Sequence, residues 1–110
     1  MTVIQRAEIA ITTENLWFLE RYLNVFDFAN LFPKDAFASE DERGVPVTFQ
    51  TELGFSFATD FDRGKMQLRN RSKHKGWLRW TSTAGLCAGD SIVIERVSER
   101  EYLLRVERKT

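Results

Sequence analysis

The sequence predicts a mainly β fold: about seven short strands and two short helices, arranged as an antiparallel barrel or sandwich. Two observations lead there. Apolar residues recur with a period of two through most of the chain, which is the alternation of half-buried strands. No long segment of helical spacing separates one strand-like run from the next, so the alternating strand–helix pattern of a parallel sheet is excluded.

Taken in order, "AEIAITT" (Ala7 to Thr13) sets Ala7, Ile9 and Ile11 on one face of a first strand. "RYLNVF" continues in that style. Pro33 of "LFPKDAFA" stands at a first helical position, where its missing N–H is no loss, and opens a short turn of helix. "EDERG" (Glu40 to Gly44) is a solvated loop, and "VPVTFQT" and "FSFATDF" are strands joined at Leu53-Gly54. "GKMQLRNR" alternates Met66 and Leu68 with Gln67 and Arg69, as a further strand does. "GWLRWTSTAGL" holds the second short helix, with Trp77 and Trp80 directed into the core. "SIVIERV" and "REYLLRVER" form a closing hairpin launched by a Gly89-Asp90 turn.

With 110 residues, 43% of them apolar and 13% aromatic, the chain has the material for one cored domain spanning 1–110. No apolar run approaches the roughly 20 residues that span a bilayer, so no membrane partner is expected. The first residues lack the charged-then-apolar pattern of a signal peptide. Cys87 is the single cysteine and cannot form an internal disulfide, which fits a reducing, cytoplasmic location. With no second cysteine nearby it reads as a small buried residue.

The formal net charge is zero, yet its distribution is lopsided. From Arg63 to Gly89 the chain carries seven bases (Arg63, Lys65, Arg69, Arg71, Lys73, Lys75, Arg79), one histidine and no acid. All 16 acids lie elsewhere, accompanied by only nine bases. A run of charge on alternate strand positions ordinarily marks a solvated face. Solvated faces interleave both signs, however, because like charges opposite one another in a sheet repel. Leaving that repulsion uncorrected points to an external polyanion.

The residue types agree. Arg69 and Arg71 share one face of the expected strand, so both guanidinium forks are expected to point together, and arginine pairs the two acceptors of guanine in a DNA major groove. Asn70 reads adenine in the analogous way if it sits in a turn. Lys73, His74 and Lys75 have the character of phosphate contacts, which position a protein without reading sequence.

The order of motifs resembles the B3 domain, a pseudobarrel DNA-binding fold of plant transcription factors and of restriction endonucleases of the EcoRII and BfiI type. The bacterial branch is matched at Phe32-Pro33-Lys34-Asp35-Ala36, at Thr59-Asp60-Phe61-Asp62 with Lys65 and Leu68-Arg69-Asn70-Arg71, and at Gly89-Asp90-Ser91-Ile92-Val93-Ile94-Glu95. The resemblance implies a seven-stranded open barrel gripping the major groove with two arms. The C-terminal arm falls on Arg69 to Arg79, within the stretch found from charge alone. The N-terminal arm falls at about Trp17 to Asn24. Relatives carry polar residues there, whereas "WFLERY" assigns Trp17, Phe18 and Leu19 to the core and leaves Glu20, Arg21 and Asn24 for the groove.

Base reading is therefore expected of Arg69, Asn70, Arg71, Glu20, Arg21 and Asn24, and phosphate contact of Lys65, Lys73, His74, Lys75 and Arg79. The expected partner is double-stranded DNA, with a nuclease or methyltransferase fused or associated. No catalytic residue, cofactor or metal is expected: the lone His74 and Cys87 make no metal set, and Asp60 and Asp62 suit turn capping better than metal binding. The rival class is a protein-interaction barrel whose basic arm docks an acidic protein.

Overall fold

Two mixed sheets organise the protein in the computed structural model, which describes residues 5–38, 42–69 and 76–109. The larger is built from β1 (Arg6–Ala10), β3 (Val47–Thr51), β4 (Ser56–Thr59), β7 (Ser91–Arg96) and β8 (Glu101–Glu107), in the order β1-β7-β8-β3-β4. The smaller sets β5 (Phe61–Asp62) between β2 (Phe37–Ala38) and β6 (Gln67–Leu68). The mainly β expectation holds. The count of seven does not: the described residues form eight strands in two sheets and close no barrel. Nor is the pairing wholly antiparallel, since β3 runs parallel to β8 and β2 parallel to β5.

The closing hairpin forms as expected, with β8 alternating while β7 buries Ile92, Val93 and Ile94 in succession. Ile92 and Ile94 on β7 and Tyr102 and Leu104 on β8 are buried, with Ile94 facing Leu104 in the register. Gly89 takes a φ of +99°, a conformation that suits glycine, and turns the chain into β7. Phe32 centres an aromatic core, its ring centroid 4.5 Å from that of Phe61 and 4.8 Å from that of Tyr102. The buried Tyr102 hydroxyl donates to the Leu31 carbonyl at 2.8 Å, so this core leaves no stranded phenol. Burial also pushes the Tyr102 pKa up.

Both expected helices are present. Pro33 precedes a 3₁₀ turn over Lys34–Ala36 as its cap, one position earlier than the sequence implied. Helix α2 spans Gly76–Ala84, and its two tryptophans are fully buried with ring centroids 5.2 Å apart. The Trp80 indole N–H donates to Glu52 Oε1 at 2.7 Å, while Glu52 Oε2 accepts the Val106 N–H at 2.7 Å. One carboxylate thus joins α2 to β8. At Gly76 a Cβ would stand 2.2 Å from Phe57 Cγ, so the start of α2 lies on β4 only because the side chain is absent.

"RYLNVF" does not form the expected strand. Helix α1 (Leu16–Leu19) precedes it, a turn follows, and a second 3₁₀ segment covers Phe26–Leu31. The cause is local side-chain bonding. Asn15 Oδ1 accepts the Thr12 N–H at 2.7 Å, Thr12 Oγ1 accepts the Asn15 N–H at 3.1 Å, and Asn15 Nδ2 donates to the Ala10 carbonyl at 2.8 Å. These bonds end β1 and bend the chain into α1. Asn24 Oδ1 then accepts the Phe26 N–H at 2.9 Å and opens the 3₁₀ segment.

Cys87 corrects another expectation. It is exposed rather than buried, because it opens the turn in which its carbonyl accepts the Asp90 N–H at 3.2 Å. Among the described residues no helix is long and apolar enough to cross a membrane.

Candidate nucleic-acid interface

The β5–β6 hairpin is the structural start of the basic stretch. Its loop is closed by Asp62, whose Oδ1 accepts the Lys65 N–H at 3.0 Å, so the capping role expected of this aspartate is what the geometry shows. That bond, with help from the Arg69 and Lys65 charges, holds the Asp62 carboxyl below its usual pKa. Asp60 does not cap a local turn: its Oδ2 accepts the Gly44 N–H at 2.8 Å, a tie to a segment sixteen residues earlier.

Backbone pairing sets the expected N-terminal arm against β6, the strand that leads into the expected C-terminal arm. The Leu68 N–H donates to the Leu23 carbonyl at 3.0 Å and the Val25 N–H to the Met66 carbonyl at 2.7 Å, on either side of an antiparallel bridge between Asn24 and Gln67. The N-arm segment is in turn held to α2, because the Trp77 indole donates to the Leu19 carbonyl and the Thr81 hydroxyl to the Glu20 carbonyl, each at 2.8 Å. The result is a polar hollow of about 360 Å³ lined by Arg21, Tyr22, Asp62, Lys65, Gln67 and Arg69. Three cations face one carboxylate there, and the excess positive charge suits a phosphate oxygen.

The placement of the individual candidates is uneven. Arg21 and Lys65 are exposed at the hollow. Glu20 and Asn24 are exposed beside it, although the side-chain oxygen of Asn24 is committed to the Phe26 N–H. Arg79 lies apart, its guanidinium carbon 4.0 Å above the Phe55 ring in a cation–π contact. Asn70, Arg71, Lys73, His74 and Lys75 lie outside the described residues.

Arg69 departs from its expected position. Its side chain is only 7% exposed, with Nη2 3.4 Å from the Ala38 carbonyl oxygen and 3.9 Å from Asp62 Oδ2. Strand β6 ends at Leu68, and both Leu68 and Arg69 turn inward, which breaks the alternation that assigned the arginine to an outer face. The Arg69 N–H donates to the Asp60 carbonyl at 3.0 Å and its carbonyl accepts the Thr59 hydroxyl, so the backbone is fixed in that inward course. A guanidinium so enclosed supports the floor of the hollow and does not project to a base edge.

Sequence reasoning missed Tyr22 and Gln67 as neighbours of the hollow. Gln67 carried a signal in its place opposite Leu68 on the strand, whereas Tyr22 depends on pairing between segments more than 40 residues apart.

The cations also differ in how they are neutralised. Outside the basic stretch, Arg6, Arg100, Arg105 and Arg108 each pair with a carboxylate of the protein within 4.0 Å. Within it, Arg69 alone of the described residues has such a pair; Arg63, Lys65 and Arg79 have no described carboxylate within that distance. Among the described residues no cluster of three or more His, Cys, Asp or Glu side chains is arranged to hold a metal.

The fold and this surface define a mainly β domain with a cationic hollow where two chain segments meet. Comparison with protein-family models and with curated proteins returned no match.

Proposed function

We propose that the protein is a non-enzymatic, sequence-specific double-stranded DNA-binding domain of the B3 pseudobarrel type. It serves as the target-recognition module of a restriction–modification enzyme, whose nuclease or methyltransferase lies in a fused or associated chain. The single observation that carries this reading is the concentration of seven bases and no acid between Arg63 and Gly89, within which Arg63, Lys65 and Arg79 have no described carboxylate within 4.0 Å. A polyanion is the natural complement.

In this reading Arg71 and Asn70 read base edges, with Glu20 and Asn24 contributing from the neighbouring segment. Arg21 and Lys65 hold a phosphate at the hollow, and Lys73, His74, Lys75 and Arg79 hold others. Arg69 moves from base reading to support of that floor, because its fork is buried. The pairing of Asn24 with Gln67 supports a two-arm grip, since it sets the N-terminal arm beside the strand that leads into the C-terminal one.

The test is selection from a random-sequence duplex pool, followed by sequencing of the retained fraction. A defined consensus is expected. Retention with no consensus would refute sequence recognition, and no retention even at low salt would favour an acidic protein as the partner.

A further inference from the structure

A second cavity, of about 470 Å³, takes Arg63 and Met66 from the β5–β6 hairpin, whereas the hollow takes Asp62, Lys65 and Gln67. Its volume falls in the range of small-molecule sites, about 300–1,000 Å³. Phe32, Pro33, Phe37 and Met66 supply apolar wall, and Lys34 and Arg63 supply the charge; no carboxylate lines it among the described residues. We propose that this cavity binds a small organic anion with a flat, apolar body, the body against Phe32, Phe37 and Met66 and the anionic group between Lys34 and Arg63.

Three features carry the assignment. The acids next to Lys34 and Arg63 in sequence are engaged elsewhere: Asp35 is paired with Arg100, and Asp62 accepts the Lys65 N–H. Lys34 and Arg63 therefore keep their charge for a ligand. Arg63 is also steadied at the rim, its backbone N–H donating to the Ala38 carbonyl at 3.0 Å and its Nη2 lying 3.4 Å from the Phe37 carbonyl oxygen. The third feature is Met66, whose φ is +53°, the left-handed region that favours glycine. It is the single non-glycine residue with positive φ among those described. Glycine would relieve that strain, whereas methionine puts a long, adaptable thioether on the cavity wall. The positive φ falls in the β5–β6 turn that Asp62 closes, and the residue placed there lends its side chain to the cavity wall.

Arg63 also counts among the cations of the basic stretch, but the test of this cavity needs no DNA, so its failure is distinct from failure of the DNA reading. The probe is anilinonaphthalenesulfonate, with phenylnaphthylamine as its uncharged counterpart, followed by fluorescence titration of the whole chain. Saturable binding of one sulfonate probe per chain is expected. The double variant Lys34→Ala/Arg63→Ala should weaken the sulfonate about tenfold or more and leave the neutral probe unchanged. Met66→Gly should keep or raise the thermal midpoint, since it removes strain, yet weaken both probes several-fold. Lys65→Ala, at a residue that lines the hollow and not this cavity, should change neither.

Absence of saturable binding would overturn the proposal. So would an unchanged sulfonate affinity in the double variant or in Met66→Gly. A loss in Lys65→Ala as large as in the double variant would place the probe on the hollow and overturn it as well.

Discussion

The indole N–H of Trp77 donates to the carbonyl oxygen of Leu19 across 2.8 Å, between two side chains that are both buried. This bond ties α2 to the segment leading into Arg21 and Asn24. Trp77→Phe keeps a ring but removes the donor and some volume, and strands a buried carbonyl. The expected cost is about 2–4 kcal/mol. Urea unfolding should show the midpoint fall at an unchanged slope.

Gly76→Ala tests the contact between α2 and β4 from the other direction. The added methyl would meet the Phe57 ring at 2.2 Å, well inside van der Waals contact. Helix propensity favours alanine by about 1 kcal/mol. Overpacking costs about 1–3 kcal/mol, and the severity of this clash makes it win. A lower thermal midpoint is expected, whereas a rise would show that Phe57 yields.

Arg69→Ala and Arg71→Ala should separate in kind. Arg69 is buried against Asp62 and the Ala38 carbonyl, so its loss should lower stability and weaken specific and random duplexes alike. Arg71→Ala should cost about 1–3 kcal/mol and relax preference at one base pair. Binding isotherms on the selected consensus and on single-mismatch duplexes distinguish the two.

If about five phosphates are neutralised, log affinity should fall against log salt with a slope of roughly −4 to −5. Lys65→Ala, at an exposed phosphate candidate, should make that slope shallower by about 1. A slope near zero would show that the cationic stretch does not meet a polyanion.

Acid sensitivity follows from two depressed carboxyls. The Asp90 pKa is lowered chiefly by the Lys109 backbone N–H, then by Arg108, and that of Asp62 chiefly by the Lys65 N–H. A group with a folded pKa below its unfolded value contributes fully above the unfolded value, about 3.9 for aspartate. Its contribution is lost as pH falls through the lower, folded value. The thermal midpoint should therefore drop below about pH 4, and the drop should be shallower in Asp90→Asn.

Much of the architecture was legible because alternation and burial agree. Strand β8 shows it, with Tyr102 and Leu104 inward and each preceded by an exposed residue. So does α2, where Trp77 and Trp80 are spaced for one buried face. The cap at Asp62 was readable from local turn chemistry, and the charge asymmetry from composition, whereas the tie from Asp60 to Gly44 was not. Helix α1 was hidden because its start depends on reciprocal bonds between Thr12 and Asn15, a signal outside any period.

By itself the sequence determined the β-rich class, the two expected helical segments and the cationic stretch, since each arises from neighbours along the chain. Only the tertiary structure decided that β3 lies parallel to β8, that Asn24 meets Gln67, and that Arg69 turns inward. Those outcomes depend on pairing between distant segments, and a shift of one residue in a strand sends every following side chain to the opposite face. Local pattern carries no information on which distant partner fixes that register.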